Sequence, residues 1–145
     1  MPQLQELPDG DTWVVERPFW YKWDNGTLFV PPSGIGSLAM MLSNPVWTTD
    51  CGSIPQIFQN IFKRDGRYLP AYVAHDWLYQ SEKYDRATCD SLLHQMLTEL
   101  GANWLARNII YSSVRIGGSF VWRKHDKKAI EDMRAYEAAA LFIFN

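Results

Sequence analysis

The sequence predicts an α+β protein in which a small antiparallel hairpin sheet near the N-terminus precedes a bundle of three to four helices. Three observations carry this. Aromatic and β-branched residues dominate Thr12 to Val30 around a turn signal, while the second half of the chain repeats apolar residues at three- and four-residue spacing between helix caps. The third is size: 145 residues, 47% hydrophobic with seven each of Trp, Tyr and Phe, suffice for one core. We read residues 1–145 as a single domain.

Residues 1–11 form a polar leader. Thr12 to Glu16 and Phe19 to Trp23 then read as strands, separated by Pro18. Asp24, Asn25 and Gly26 supply the positive-φ residues of a tight turn, and Thr27 to Val30 returns as the partner strand. Pro31 to Gly52 is rich in Pro, Gly, Ser and Thr except for an apolar insert at Ser37 to Leu42, too short for periodicity to separate a helix from a flap. A short helix is expected over Ser53 to Lys63, with Ser53 as cap and Pro55 in the first turn. Ser53 lacks the strand-turn-helix elbow of a serine nucleophile.

Stronger helices follow. Tyr68 to Gln80 begins with Pro70 in its first turn. Asp85 caps a helix to Leu100 whose Cys89, Leu92, Leu93, Met96, Leu97 and Leu100 face the core, and Gly101 closes it. Ala102 to Ile116 turns Trp104, Leu105, Ile109 and Ile110 to the same core and is expected to stop at Gly117-Gly118. Asp126 caps a C-terminal helix over 126–145, charged at first and almost wholly apolar from Ala138 to Phe144. Such a tail must pack on its own domain or on a neighbouring subunit.

Composition narrows the function classes. Cys51 and Cys89 stand alone, outside any zinc-like or disulfide pattern. The N-terminus has no positive charge followed by an apolar run, and no apolar stretch is long enough to span a bilayer. A net charge of −2 with scattered basic residues leaves no clear nucleic-acid surface.

The chemistry-bearing segment is Val73-Ala74-His75-Asp76-Trp77-Leu78-Tyr79. Four residues apart on a helix, His75 and Tyr79 share a face, while Asp76 points about 100° away and must serve another partner. His75 then acts as a general base on water, oriented by a carboxylate from another element. Asp90 on the next helix is the natural partner, Asp50 in the preceding loop the other, and Asp76 faces a cation or holds a loop. The competing reading is architectural: His75 and Tyr79 satisfy backbone carbonyls in a buried polar network, and Asp50 or Asp76 caps a helix. His94, four residues after Asp90, makes only a two-residue pair, short of a metal site. His125 reads as an exposed loop residue. Trp47, Trp77, Trp104 and Trp122 either line an aromatic groove or, for Trp77 and Trp104, join the core.

The motif order resembles the domain of unknown function 1353 family. It runs from a Trp-Val strand and Pro18-Phe19-Trp20-Tyr21 through Val30-Pro31, Thr49-Asp50-Cys51-Gly52-Ser53-Ile54-Pro55 and Ala74-His75-Asp76-Trp77-Leu78-Tyr79. Arg86, Cys89-Asp90, Val114-Arg115-Ile116-Gly117-Gly118 and Trp122 complete it. The similarity covers roughly Trp13 to Trp122. Residues 37–45 are an insert atypical of the family, and Cys51-Gly52 stands where the family has Phe-Ala. The resemblance implies occurrence in tailed phages and prophages, hence a virion or tail-associated structural protein located in the virion or the host cytoplasm. Its partners are then other phage structural proteins, or further copies of the chain through the apolar C-terminal tail. His-Asp-x-x-Tyr followed by a second helix bearing Asp is also distantly similar to calcium-dependent phospholipases. That likeness implies a calcium-assisted hydrolase of a host-envelope lipid or cell-wall bond, with His75 as base, Asp76 as calcium ligand, Tyr79 as support and Asp90 as orienting carboxylate.

Overall fold

In the computed structural model, residues 3–7, 12–23, 25–33, 46–49, 66–123 and 126–144 are described. The insert at 37–45, Asp50, Cys51, the helix expected over Ser53 to Lys63, Asp24 and His125 lie outside them.

The fold is α+β: two small antiparallel hairpins, then four helices among the described residues. Strands β1 (Leu4–Glu6) and β2 (Trp13–Val15) pair with Leu4 opposite Val15, so part of the expected leader is itself a strand. Residues Leu4, Gln5 and Glu6 give little β signal alone; pairing with buried Val14 and Val15 recruits them. Strands β3 (Phe19–Trp23) and β4 (Gly26–Val30) form the second hairpin, Phe19 opposite Val30 and Trp23 opposite Gly26. Among the described residues the positive-φ glycine is Gly101, and Gly26 does not take the positive φ expected of it. Its role is space, since a β-carbon there would lie 2.8 Å from the Trp23 ring. Ser33 ties the chain after β4 to β2, receiving the Val15 N–H on its hydroxyl at 2.6 Å and donating its own N–H to the Val15 carbonyl at 2.8 Å.

A 3-10 turn at Gly66–Tyr68 leads into helix α1 (Leu69–Ser81), where proline occupies the first turn. Nine of its 13 residues are buried, so α1 is the central helix rather than a surface one. Trp77, Leu78 and Val73 are fully sealed, each worth about 1.5–3 kcal/mol by removal from water. Glu82 in the left-handed region turns the chain. The Asp85 carboxylate accepts the Thr88 N–H at 3.2 Å and starts helix α2 (Arg86–Glu99). Cys89, Leu93, Met96 and Leu97 face the core as expected, and Gly101 at φ +87 follows the C-cap.

Helix α3 (Trp104–Arg123) departs from expectation twice. It runs through Gly117-Gly118, and its buried stripe is Ala106, Ile110 and Val114, while Trp104 is 68% exposed and Leu105 is also exposed. That stripe recurs every four residues and ends at Gly118; Trp104 lies two residues, roughly 200°, from Ala106. The α3 helix packs along α2, where Arg115 meets Asp90 and Tyr111 meets His94. Helix α4 (Lys127–Phe144) buries Glu137 and Ala140. It is tied to the α1–α2 turn by Lys83–Glu137 and by Arg134 to the Ser81 and Glu82 carbonyls. Its tail packs on its own domain only in part: Ala140 is buried, whereas Phe142 is 90% exposed and Ile143 and Phe144 are exposed beside it. Among the described residues no helix is long and apolar enough to cross a membrane.

Candidate active site

The short turn between α1 and α2 makes them an antiparallel pair, and residues whose numbers sum to about 165 therefore meet. Leu78 with Cys89 and His75 with Asp90 obey this rule. Along α2 and α3 the sum is 205, which joins His94 to Tyr111 and Asp90 to Arg115. Asp90 thus stands where three helices converge.

Its carboxylate is fully buried. Oδ1 accepts from His75 Nε2 at 2.8 Å and from the Tyr79 hydroxyl at 2.6 Å. Oδ2 accepts from Arg115 Nη1 at 2.8 Å and, at 3.5 Å, from Arg86 Nη1. Burial alone pushes the carboxyl up, but the hydrogen bonds from His75, Tyr79 and Arg115 outweigh it and hold Asp90 below the usual carboxylate range. The Tyr79 phenol is pushed well up, first by burial and then by its bond to Asp90, so it stays a donor. An ionised carboxylate only accepts, so His75 Nε2 carries a proton, and in the neutral ring Nδ1 is the basic nitrogen. Nδ1 has no hydrogen bond among the described residues, and His75 as a whole is 6% exposed.

Close packing fixes this geometry. The His75 and Tyr79 ring centroids are 4.4 Å apart, and the Trp122 ring meets Tyr79 edge-on at 5.2 Å. Gly118 explains why α3 is not broken where two glycines invite it. A β-carbon there would collide with the Tyr79 hydroxyl and lie 3.2 Å from two ring carbons, so glycine is the residue that lets α3 pass over Tyr79. The carbonyls of Val114 and Arg115, just before the glycines, accept from Arg86 at 3.3 and 3.2 Å.

Asp76 serves a different partner from His75: its Oδ2 accepts from the Thr49 hydroxyl. Thr49 is itself paired with Trp13 of β2 through two backbone hydrogen bonds of 2.7 and 2.9 Å, and Gln80 donates to the Thr48 carbonyl at 2.7 Å. The edge of the first hairpin is thereby pinned to the half-buried flank of α1 that carries Asp76 and Gln80.

The structure therefore brings His75, Tyr79 and Asp90 together, sets Asp76 beside them on the adjoining flank, and leaves Asp50 outside the described residues. His75 and Tyr79 do not serve backbone carbonyls, as the architectural reading expected; a buried anion within reach is the stronger acceptor. His94 lies edge-on to Tyr111 instead of pairing with Asp90. The four tryptophans form no common groove: Trp47 and Trp77 are buried together at 5.1 Å, Trp122 covers Tyr79 and Trp104 faces solvent. Sequence reasoning missed the roles of Arg86 and Arg115. Arg86, four residues before Asp90 on one helix face, carried a local signal; Arg115 meets Asp90 through the antiparallel pairing of α2 and α3. For calcium, Asp76 supplies carboxylate oxygens, but among the described residues no group of three or more His, Cys, Asp or Glu side chains assembles. Among the described residues a shell of roughly six to eight oxygens is not built there.

The family described as Protein of unknown function (DUF1353) matches residues 13–114. No curated protein and no solved structure matches the chain.

Proposed function

The chain belongs to the DUF1353 family, and on that premise we propose that it is a small phage-encoded ester hydrolase in which His75 is the general base. The observation that carries this reading is the buried Asp90 carboxylate on His75 Nε2 at 2.8 Å, which turns Nδ1 away from the anion and leaves it as the proton acceptor. His75 takes a proton from water as that water attacks an ester carbonyl, and returns it to the leaving alcohol oxygen. General-base assistance of this kind contributes about 10²- to 10⁴-fold. Asp90 fixes the tautomer and faces the imidazolium that forms; Tyr79 and Arg115 keep it ionised. Because Arg86 and Arg115 offset its charge, Asp90 orients the ring more than it stabilises the positive charge. Asp76, next to His75, is engaged with Thr49, and no step is assigned to a cation. The substrate class is a host-envelope lipid or cell-wall ester.

The test is release of fatty acid from mixed phospholipid vesicles, with calcium and with a chelator. His75→Gln keeps a donor near Asp90 but has no basic nitrogen, so it should retain the fold and lose at least about a hundredfold in rate. No release by the wild-type protein removes this reading. Stability does not discriminate, because His75→Ala removes a bond to a buried charge and costs ~1.5–3 kcal/mol whether or not the site is catalytic.

A second reading, a virion or tail component, is favoured by the exposed Phe142, Ile143 and Phe144. Contacts with other phage structural proteins or with another copy would cover them. Mass spectrometry of purified particles tests it: the chain is present in stoichiometric amount if it is structural, and its absence from particles sinks the idea.

A further inference from the structure

Arg115 holds more hydrogen-bonding capacity than the fold uses. A guanidinium has five N–H donors; here Nη1 is bonded to Asp90 at 2.8 Å, and the side chain makes no other hydrogen bond among the described residues. It is 34% exposed, whereas the carboxylate that anchors it is sealed. Arg86 differs: its Nη1 is shared among Asp90, the Val114 carbonyl and the Arg115 carbonyl, all within the helical core. Arg86 thus contributes charge, and Arg115 contributes charge together with outward donors. Two guanidinium charges face one Asp90 carboxylate, which leaves the cluster with one positive charge in excess when His75 is neutral. Asp76 lies on the other flank of α1, engaged with Thr49. A planar fork held by a charge-assisted bond loses little freedom when it grips a second anion, and it matches an acceptor with two unesterified oxygens. His75 bonds one oxygen of Asp90 and Arg115 the other, so both side chains are anchored on the same carboxylate.

We propose that Arg115 is the specificity-determining contact of this centre and takes the phosphate group of a phosphate-bearing ester, an inference that rests on the hydrolase reading above. Its test is binding, which does not require turnover. Inorganic phosphate and dihexanoylphosphatidylglycerol below its micelle concentration are titrated calorimetrically into the full chain. Wild type should bind both, more weakly as salt rises. Arg115→Gln should weaken binding at least about tenfold, the loss of one charge-assisted contact. Arg115→Lys, which keeps the charge on Asp90 but not the fork, should fall between them. Arg123→Gln, the removal of an exposed cation farther along α3, should change nothing. Circular dichroism confirms that each variant is folded at the titration temperature. Tighter binding of the lipid than of free phosphate assigns the group to a lipid headgroup, and equal binding to a soluble phosphoester; both support the site. No phosphate binding by wild type, or equal weakening by Arg123→Gln, overturns it. His75→Gln separates the two ideas: phosphate binding retained by this variant with no ester turnover in wild type defeats the hydrolase and leaves the phosphate contact standing.

Discussion

Helices α2 and α4 each bury one acidic side chain, and they differ in how many partners it has rather than in how deep it lies. Asp90 on α2 is met by His75, Tyr79, Arg115 and Arg86 from all three packed helices, and its neighbours Cys89, Leu93, Met96 and Leu97 are sealed. Glu137 on α4 is met by Lys83, and Ala140 is the other buried residue of that helix. A carboxylate with many donors is part of the packing, because removing it strands several charged groups at once; a carboxylate with a single lysine is a latch. The contrast also places chemistry. The many-partner acid can hold an imidazole in one tautomer, whereas the latch can only hold a helix in place.

The largest effect should therefore come from Asp90→Ala, which leaves two guanidiniums, an imidazole and a phenol without their anion and should cost about 3–5 kcal/mol in urea unfolding. A loss below about 1 kcal/mol would show that water replaces the carboxylate and that α2 is no different from α4. The same group sets an acid limit. Its folded pKa lies below the unfolded value of about 3.9, so its contribution is fully present above that value and is lost as pH falls through the folded value. Melting temperature should decline on acidification below about pH 4, and Asp90→Asn should flatten this part of the profile.

Next in size is a pair of glycines with opposite signs. Gly118→Ala drives a β-carbon into the Tyr79 hydroxyl and should cost about 1–3 kcal/mol despite the better helix propensity of alanine. Gly117→Ala meets nothing within 4 Å and should gain up to about 1 kcal/mol. Equal effects would mean that α3 does not press on Tyr79. The smallest effect belongs to the latch: Lys83 is partly exposed, so Glu137→Gln should cost no more than about 1 kcal/mol. A cost matching that of Asp90→Ala would erase the contrast.

What could be read in advance divides along the same line. The Asp85 cap, the apolar spacing of α2 and its end at Gly101 are local signals, and the structure follows them. The meeting of His75 with Asp90 followed from a short turn between two helices, which is again local. Tertiary packing decided the rest. Gly117-Gly118 carries a stop signal that α3 overrides, because Tyr79 needs the missing β-carbon more than the chain needs an end there. Trp104 and Leu105 look like core residues, yet the buried face is the one through Ala106, Ile110 and Val114, and Trp104 lies roughly 200° around the helix from it. Arg115 meets Asp90 across 25 positions of sequence, by the same antiparallel pairing about the short turn at Gly101, a signal that the reading centred on His75 did not use. Strand β1 exists because β2 offers it an edge, a fact absent from residues 4–6 themselves.

Which ring nitrogen of His75 faces the Asp90 carboxylate decides which one is left to act as the base. Long-range proton–nitrogen correlation spectra of the histidine ring, recorded across its titration, report this directly. The neutral ring should carry its proton on Nε2, with Nδ1 bare, and Asp90→Asn should disturb that preference. A neutral His75 protonated on Nδ1, or a tautomer indifferent to Asp90→Asn, would contradict the account.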